Sequence, residues 1–233
     1  MYNNKSNKTF FYDKLAGQHK WAEFANEYET ARRLKLIFGE LITPSELKNR
    51  QFLDAGSGGG HFSQAADSLG AKVVSLDVGI NLLKQVGTRS GGKKVLGSTL
   101  ELPLKKNLFD IVLSTEVIEH TPDPIKAIRE LSKVVKPGGI LLITVPCRLW
   151  NPIVKLATVL KLRPYGGYEN FLWPHELRHS LEKHGFTIEV LTGFNFCPYF
   201  SKKIDHLFNY FDKAYGEKMP WLMVNVAVRA RKR

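Results

Sequence analysis

Phe52-Leu-Asp-Ala-Gly-Ser-Gly-Gly-Gly-His61 constrains this chain more than any other stretch. An apolar strand tip ends in an acid, and a glycine turn then opens a helix. An open α/β sheet holds a nucleotide-like ligand in this way, at the carboxyl end of its first strand. Gly56, Gly58 and Gly60 follow a G-x-G-x-G rhythm, which lets the backbone take positive φ and approach a ligand with no Cβ in between. A dinucleotide fingerprint needs G-x-G-x-x-G/A. The sixth position is His61 counted from Gly56 and Ser63 counted from Gly58, so that pattern is broken. The Gly-Lys-Ser/Thr of a phosphate-binding Walker loop is absent as well. Asp54 would repel a phosphate and suits a cation; a cofactor with an amino group and a positive sulfonium fits it. The plainer alternative is a tight turn with no ligand.

The second strand is expected at Lys72-Val-Val-Ser-Leu-Asp77. Its acid follows the glycine turn by about twenty residues, where a carboxylate accepts both hydroxyls of a ribose. Asp77 could instead simply cap the helix that begins near Ile80. Strand-like and helix-like segments alternate from 51 to 146, which predicts an α/β fold with a parallel sheet and helices on both faces. Residues 10–42 carry aromatic and basic positions in helical rhythm.

From Phe52 to Arg231 the chain resembles the class I S-adenosylmethionine-dependent methyltransferases. The resemblance rests on Leu53-Asp-Ala-Gly-Ser-Gly-Gly-Gly60, Asp77, Gly97-Ser-Thr-Leu-Glu-Leu-Pro103, Phe109-Asp-Ile-Val-Leu-Ser-Thr115 and Val135-Lys-Pro-Gly-Gly-Ile-Leu-Leu-Ile-Thr144. It implies a Rossmann-like fold with a mostly parallel seven-stranded sheet, closed by a late hairpin whose last strand is Leu222–Val228. It also implies S-adenosylmethionine as cofactor, held by Asp54, Gly56, Ser57, Gly58, Gly60, Asp77, Val78, Ser98, Thr99 and Thr115. Ser98 stands where many members have Asp; its hydroxyl can still bond the adenine amine. The implied organisation is a helical cap over 1–48 and a cofactor-binding domain over 49–233. Substrate-side insertions fall near 147–172 and 199–220.

Thr115-Glu-Val-Ile-Glu-His-Thr-Pro-Asp-Pro124 is the second constellation. On a helix, Glu116, Glu119 and His120 would lie at i, i+3 and i+4 and converge. Two carboxylates and an imidazole could hold a divalent cation such as Mg, which would lower a catechol pKa from about 10 toward neutrality. The segment resembles the metal motif of the ubiquinone-pathway O-methyltransferases. Gly58–Gly60, Pro174–Leu177, Leu191–Pro198 and Val224–Arg231 resemble that family too. Glu-His before Pro-Asp-Pro also occurs in methyltransferases without metal, where the pair caps a helix or lines the cleft. His120 is then the expected catalytic residue, a general base for the acceptor proton, with His61 as the other choice. His61 also reads as a helix-start residue packed on the turn. His19, His175, His179, His184 and His206 form no constellation. Phe10-Phe-Tyr12 and the aromatics from Tyr165 to Trp173 read as core or lid rather than substrate cage.

The 233 residues suffice for one α/β domain. The formal charge of +12 raises nucleic acid and anionic membrane as partners. The cations are dispersed in pairs such as Lys5 with Lys8, Arg32 with Arg33 and Lys202 with Lys203, and the densest run is Arg229-Ala-Arg-Lys-Arg233. A dispersed basic surface is usually a solvated one. With no Asn-Pro-Pro-Tyr-type motif and no appended module, nucleic acid is not the expected partner. Lys155 and Lys161 break the longest apolar stretch, so no bilayer span is expected. Segment 149–163 could still touch a membrane surface or an isoprenoid tail. The polar start Met1–Lys8 lacks a signal core, and Cys147 and Cys197 show no paired spacing. A reduced, cytoplasmic setting follows. Methylation of a hydroxyl on a small or lipid-tailed, quinone-precursor-like acceptor is the leading expectation. The alternatives are methylation of another small molecule, RNA or protein, and a non-catalytic binding protein on the same fold.

Overall fold

The computed structural model describes residues 10–18, 27–161, 167–196 and 205–233, without the side chains of 205–208. His19, Tyr165, Cys197, Lys202, Lys203, Ile204 and the side chains of His206, Leu207 and Phe208 lie outside that description, as do residues 1–9. The strands are β1 (Gln51–Ala55), β2 (Lys72–Asp77), β3 (Lys93–Leu96), β4 (Phe109–Thr115), β5 (Val135–Pro146), β6 (Phe186–Phe194) and β7 (Asn225–Lys232). They form a seven-stranded sheet in the order β3-β2-β1-β4-β5-β7-β6. Pairing is parallel from β3 through β5, whereas β7 runs antiparallel to both β5 and β6. The sheet is therefore mixed, and the last strand is Asn225–Lys232 rather than Leu222–Val228.

The helices are α1 (Phe11–Gly17), α2 (Glu27–Leu36), α3 (Pro44–Leu47), α4 (His61–Ser68), α5 (Ile80–Arg89), α6 (Pro124–Val134), α7 (Asn151–Val159), α8 (Pro174–Lys183) and α9 (Asp205–Tyr215). A π-turn, Ile37–Leu41, continues α2. Side chains alternate across each strand, and the alternation sorts the core into two layers. Leu53, Val112, Leu141, Ile143 and Val145 pack on one face with Ile128 and Leu131 of α6 and Leu177 and Leu181 of α8. Phe52, Ile111, Leu113, Ile140 and Leu142 pack on the other with Phe62 and Ala66 of α4 and with Ile37 and Leu47. Asp123 starts α6 by accepting the Lys126 N–H at 2.9 Å, with Pro124 at the first helical position.

The basic run at 229–233 is tied into the fold. Arg229 reaches Glu46 and Glu189 at 2.6 Å, Arg231 pairs with Glu189, and the Lys232 ammonium donates to Ser132 and Val135 carbonyls at 2.9 and 2.7 Å. Cys147 is a buried free thiol. No helix among the described residues is long and apolar enough to cross a membrane.

Candidate active site

The strand order reverses between β1 and β4, and the crevice outside their carboxyl ends is where open α/β sheets bind ligands. A cavity of about 350 Å³ opens there. The β1–α4 turn forms its floor. Gly56, Gly58 and Gly60 all have positive φ, of 85°, 49° and 85°. A Cβ on Gly56 would run into both methyls of Val117, and one on Gly60 would stand 2.9 Å from the Val86 backbone.

Gly56, Ser57, Gly58, Asp77, Val78, Ser98, Thr99 and Thr115 all line this cavity, whereas Asp54 and Gly60 do not. Asp54 shares its strand face with Phe52 and points beneath the turn. There it accepts a 2.6 Å bond from Ser63, whose hydroxyl also meets Ser75 at 2.6 Å. Burial pushes the Asp54 pKa up to about 7, the Ser63 bond opposes the rise, and the charge of Asp77 adds to it. Asp54 thus braces the turn from beneath, and Gly60 is the left-handed N-cap of α4.

Asp77 reaches the cavity with both oxygens already engaged: Gly58 N–H donates to one and Gly79 N–H to the other, each at 2.9 Å. Burial raises its pKa and these two bonds hold it down. Ser98 accepts the Leu100 N–H at 3.1 Å. The Ser57 hydroxyl is buried and finds no hydrogen-bond partner among the described residues, although it lines the cavity. A buried orphan hydroxyl, a backbone cradle without Cβ atoms and a carboxylate at the second strand tip together fit a nucleoside cofactor.

The 116–120 segment is not the helix that its spacing suggested. Glu116 takes a left-handed φ of 52°, and only Ile118–His120 form a short 3₁₀ turn. The kink swings Glu116 away from its neighbours, where it accepts from Thr144 and Asn225 at 2.8 Å each. Burial raises its pKa, with Arg33 acting against the rise. Glu119 is fully buried, with one oxygen 3.5 Å from His120 Nε2. Among the described residues no three His, Cys, Asp or Glu side chains gather as a metal site. Glu116, Glu119 and His120, the residues expected to hold Mg, all line the cavity without gathering on one point.

The His120 ring is held at both nitrogens. Its Nδ1 lies 2.9 Å from the Tyr168 carbonyl oxygen, which can only accept, so this nitrogen carries a hydrogen. In the neutral ring Nε2 is then the acceptor, and it faces Tyr12 Oη at 3.2 Å. His61, the first residue of α4, also lines the cavity. Burial lowers its pKa first, and Arg89 and Arg33 add to the effect.

A family profile described as "Methyltransferase domain" matches residues 53–143. A ubiquinone biosynthesis O-methyltransferase of Bordetella avium is 34% identical over 77% of this chain and 80% of its own. That of Aliivibrio fischeri is 32% identical over 77% and 82%. The chain belongs to the ubiquinone biosynthesis O-methyltransferase family. It is an S-adenosylmethionine-dependent methyltransferase. Its fold also matches the magnesium protoporphyrin IX methyltransferase of Synechocystis PCC 6803 with bound SAH (TM-score 0.72, 14% identity, 99% of this chain and 100% of that one).

Several cleft residues of this methyltransferase carried no signal in a local motif. Tyr12 and Asp13 come from α1, Glu29, Thr30 and Arg33 from α2, and Phe171 from the segment before α8. Asp13 accepts the Asn81 and Leu82 N–H groups at 2.8 and 3.3 Å, which docks α1 on the first turn of α5. Tyr12 and Phe171 belong to the aromatic groups expected as core or lid, and that was the available clue.

Proposed function

We propose that this methyltransferase transfers a methyl group to a phenolic hydroxyl of a small, lipid-tailed acceptor of the quinone-precursor kind. The supporting observation is His120: its Nδ1 hydrogen is fixed on a backbone carbonyl, and the residue lines the same cavity as the glycine turn. The likeness to ubiquinone biosynthesis O-methyltransferases supports the same acceptor class.

S-adenosylmethionine supplies an electrophilic methyl on a cationic sulfur. Gly56, Ser57 and Gly58 would hold the cofactor from below, Asp77 the ribose, Ser98 and Thr99 the adenine side, and Thr115 the tip of β4. Arg33 lines the cavity and makes no ion pair among the described residues, so it suits the cofactor's carboxylate. His120 Nε2 takes the acceptor proton as the oxygen attacks, and Glu119 beside the ring favours the positive charge that results. Alignment and exclusion of water supply the remaining acceleration. Of the helical cap read over 1–48, Tyr12, Asp13, Glu29, Thr30 and Arg33 reach the cleft, and Phe171 does so from the segment near 147–172.

Along α7 and at its C-cap, Ile153, Leu156 and Leu160 are each more than half exposed, with Lys155 and Lys161 in the same stretch. That stretch suits an anionic membrane surface that stores a lipid-tailed acceptor. The decisive experiment incubates the protein with labelled S-adenosylmethionine and 3-geranylcatechol. Labelled methyl ether is the expected product, and its absence alongside normal cofactor binding would reject the acceptor.

A further inference from the structure

We propose that the ion pair between Arg32 and Asp212 is a positioning device for the cofactor: it fixes the angle of α2 and so presents Arg33 to the cofactor's carboxylate. The inference rests on Arg33 being the partner of that carboxylate. Glu29, Thr30 and Arg33 bring α2 to the cavity wall. No side chain of α2 is fully buried. Its apolar grip begins at Leu34 and Leu36, which pack partly buried on the core, and is completed by Ile37 and Leu41 of the π-turn. The turns that carry the cleft residues lie on the other side of that grip, so polar contacts set their angle.

Arg32 and Arg33 are neighbours about 100° apart around the helix, so one can face the cavity while the other points elsewhere. Arg33 lines the cavity, its guanidinium 5.9 Å from the centre of the Phe62 ring. Arg32 reaches to α9 instead, where Nη2 lies 2.5 Å from Asp212 Oδ2 and the two side chains are 16% and 11% exposed. Asp212 is a fixed post. Its Oδ2 also accepts the Asn195 N–H at 2.8 Å, and its Oδ1 accepts the Phe196 N–H at 2.7 Å. The Phe196 and Phe211 rings stack at 5.0 Å, and Gly193 N–H donates to the Gly216 carbonyl at 2.8 Å, which secures α9 to the end of β6. Parting a largely buried pair leaves each charge uncompensated, so α2 does not drift freely from this angle. Asp212 itself does not line the cavity. Its effect on the cofactor therefore passes through α2, from a position 180 residues further along the chain.

The test compares two ligands by titration calorimetry. S-adenosylhomocysteine carries the carboxylate; 5′-methylthioadenosine has the nucleoside and the sulfur but no amino-acid chain. Arg32→Met and Asp212→Asn should each weaken S-adenosylhomocysteine about tenfold, with methylthioadenosine changed by less than about twofold. In an Arg33→Met background either substitution should add less than about twofold to the loss already present. Arg32→Lys, which can still pair with Asp212, should keep affinity within about threefold of the unaltered protein. A merely structural role would weaken both ligands alike, and that result would overturn the proposal. So would an unchanged Kd for S-adenosylhomocysteine in Arg32→Met, or full additivity with Arg33→Met. The two readings fail differently. Unchanged affinity in Arg33→Met removes Arg33 from the carboxylate and the proposal with it, whereas a loss in Arg33→Met but not in Arg32→Met keeps Arg33 and rejects the ion pair.

Discussion

Ser63 donates a 2.6 Å hydrogen bond to Asp54 at a depth where neither side chain meets solvent. The bond ties the start of α4 to the end of β1, so the glycine turn is braced from beneath by a carboxyl group it hides. Burial moves that carboxyl up to about 7 from its ordinary 3.8, and the linkage has an unusual sign for an aspartate. Between about pH 4 and pH 7 the folded chain keeps a proton that the unfolded chain has lost, so stability falls as pH rises, and it levels off above 7. Ionisation costs on the order of 4 kcal/mol if the whole shift is realised. Asp54→Asn should flatten the decline of denaturation midpoint between pH 5 and pH 8. An equally steep decline in the variant would reject the assignment.

Gly56 and Val117 are in contact so close that a methyl on the glycine has no room, and the glycine's φ of 85° is strained for any other residue. Gly56→Ala should destabilise by about 2 kcal/mol or more. Adding Val117→Ala should recover part of that loss, because it removes the overlap but not the backbone strain. Additive losses in a double-mutant cycle followed by thermal melts would show that the contact is not the cause.

Asp77 has two backbone donors in the ligand-free protein and still faces the cleft. Asp77→Asn replaces one acceptor by a donor. Affinity for S-adenosylhomocysteine should fall at least tenfold, about 1.4 kcal/mol. Titration calorimetry reads this directly, and an unchanged Kd would remove Asp77 from the ribose role.

His120→Gln keeps a polar side chain but loses the base. Turnover should drop by about 10² to 10⁴-fold while cofactor affinity stays within threefold. A parallel loss of both would mean that His120 shapes the cleft instead of moving the proton.

Leu156→Glu on the exposed face of α7 tests the membrane contact. Co-sedimentation with phosphatidylglycerol vesicles should fall several-fold while activity on a short-tailed acceptor persists. Equal sedimentation of both forms would count against that face.

The sheet was legible because its strands obey simple rules. Buried parallel strands read as apolar runs, and the acid tips of β1 and β2 mark where those runs reach the cleft. The ligand-facing part of the glycine turn followed from the same local pattern. The depth of Asp54 was not legible in its motif position, which says nothing about the strand's pleat; its shared parity with Phe52 does, and that sends it under α4. The 116–120 segment was misread because helical spacing presumes right-handed φ throughout, and Glu116 breaks it for the sake of bonds to Thr144 and Asn225, which are 28 and 109 residues away. Tyr12 meets His120 across 108 residues of chain, a distance over which no local pattern carries information.

The position of β7 has a consequence for how the chain is made. β6 leaves the ribosome first, yet among the described residues it pairs with β7 alone, which lies between it and β5. Until Asn225–Lys232 has been synthesised, β6 has no edge to join and β5 remains open along its antiparallel side. Glu116 waits for Asn225 over the same interval. The cleft wall at Glu116 is therefore among the last parts of the nascent protein to become native, well after the glycine turn between β1 and α4 can form.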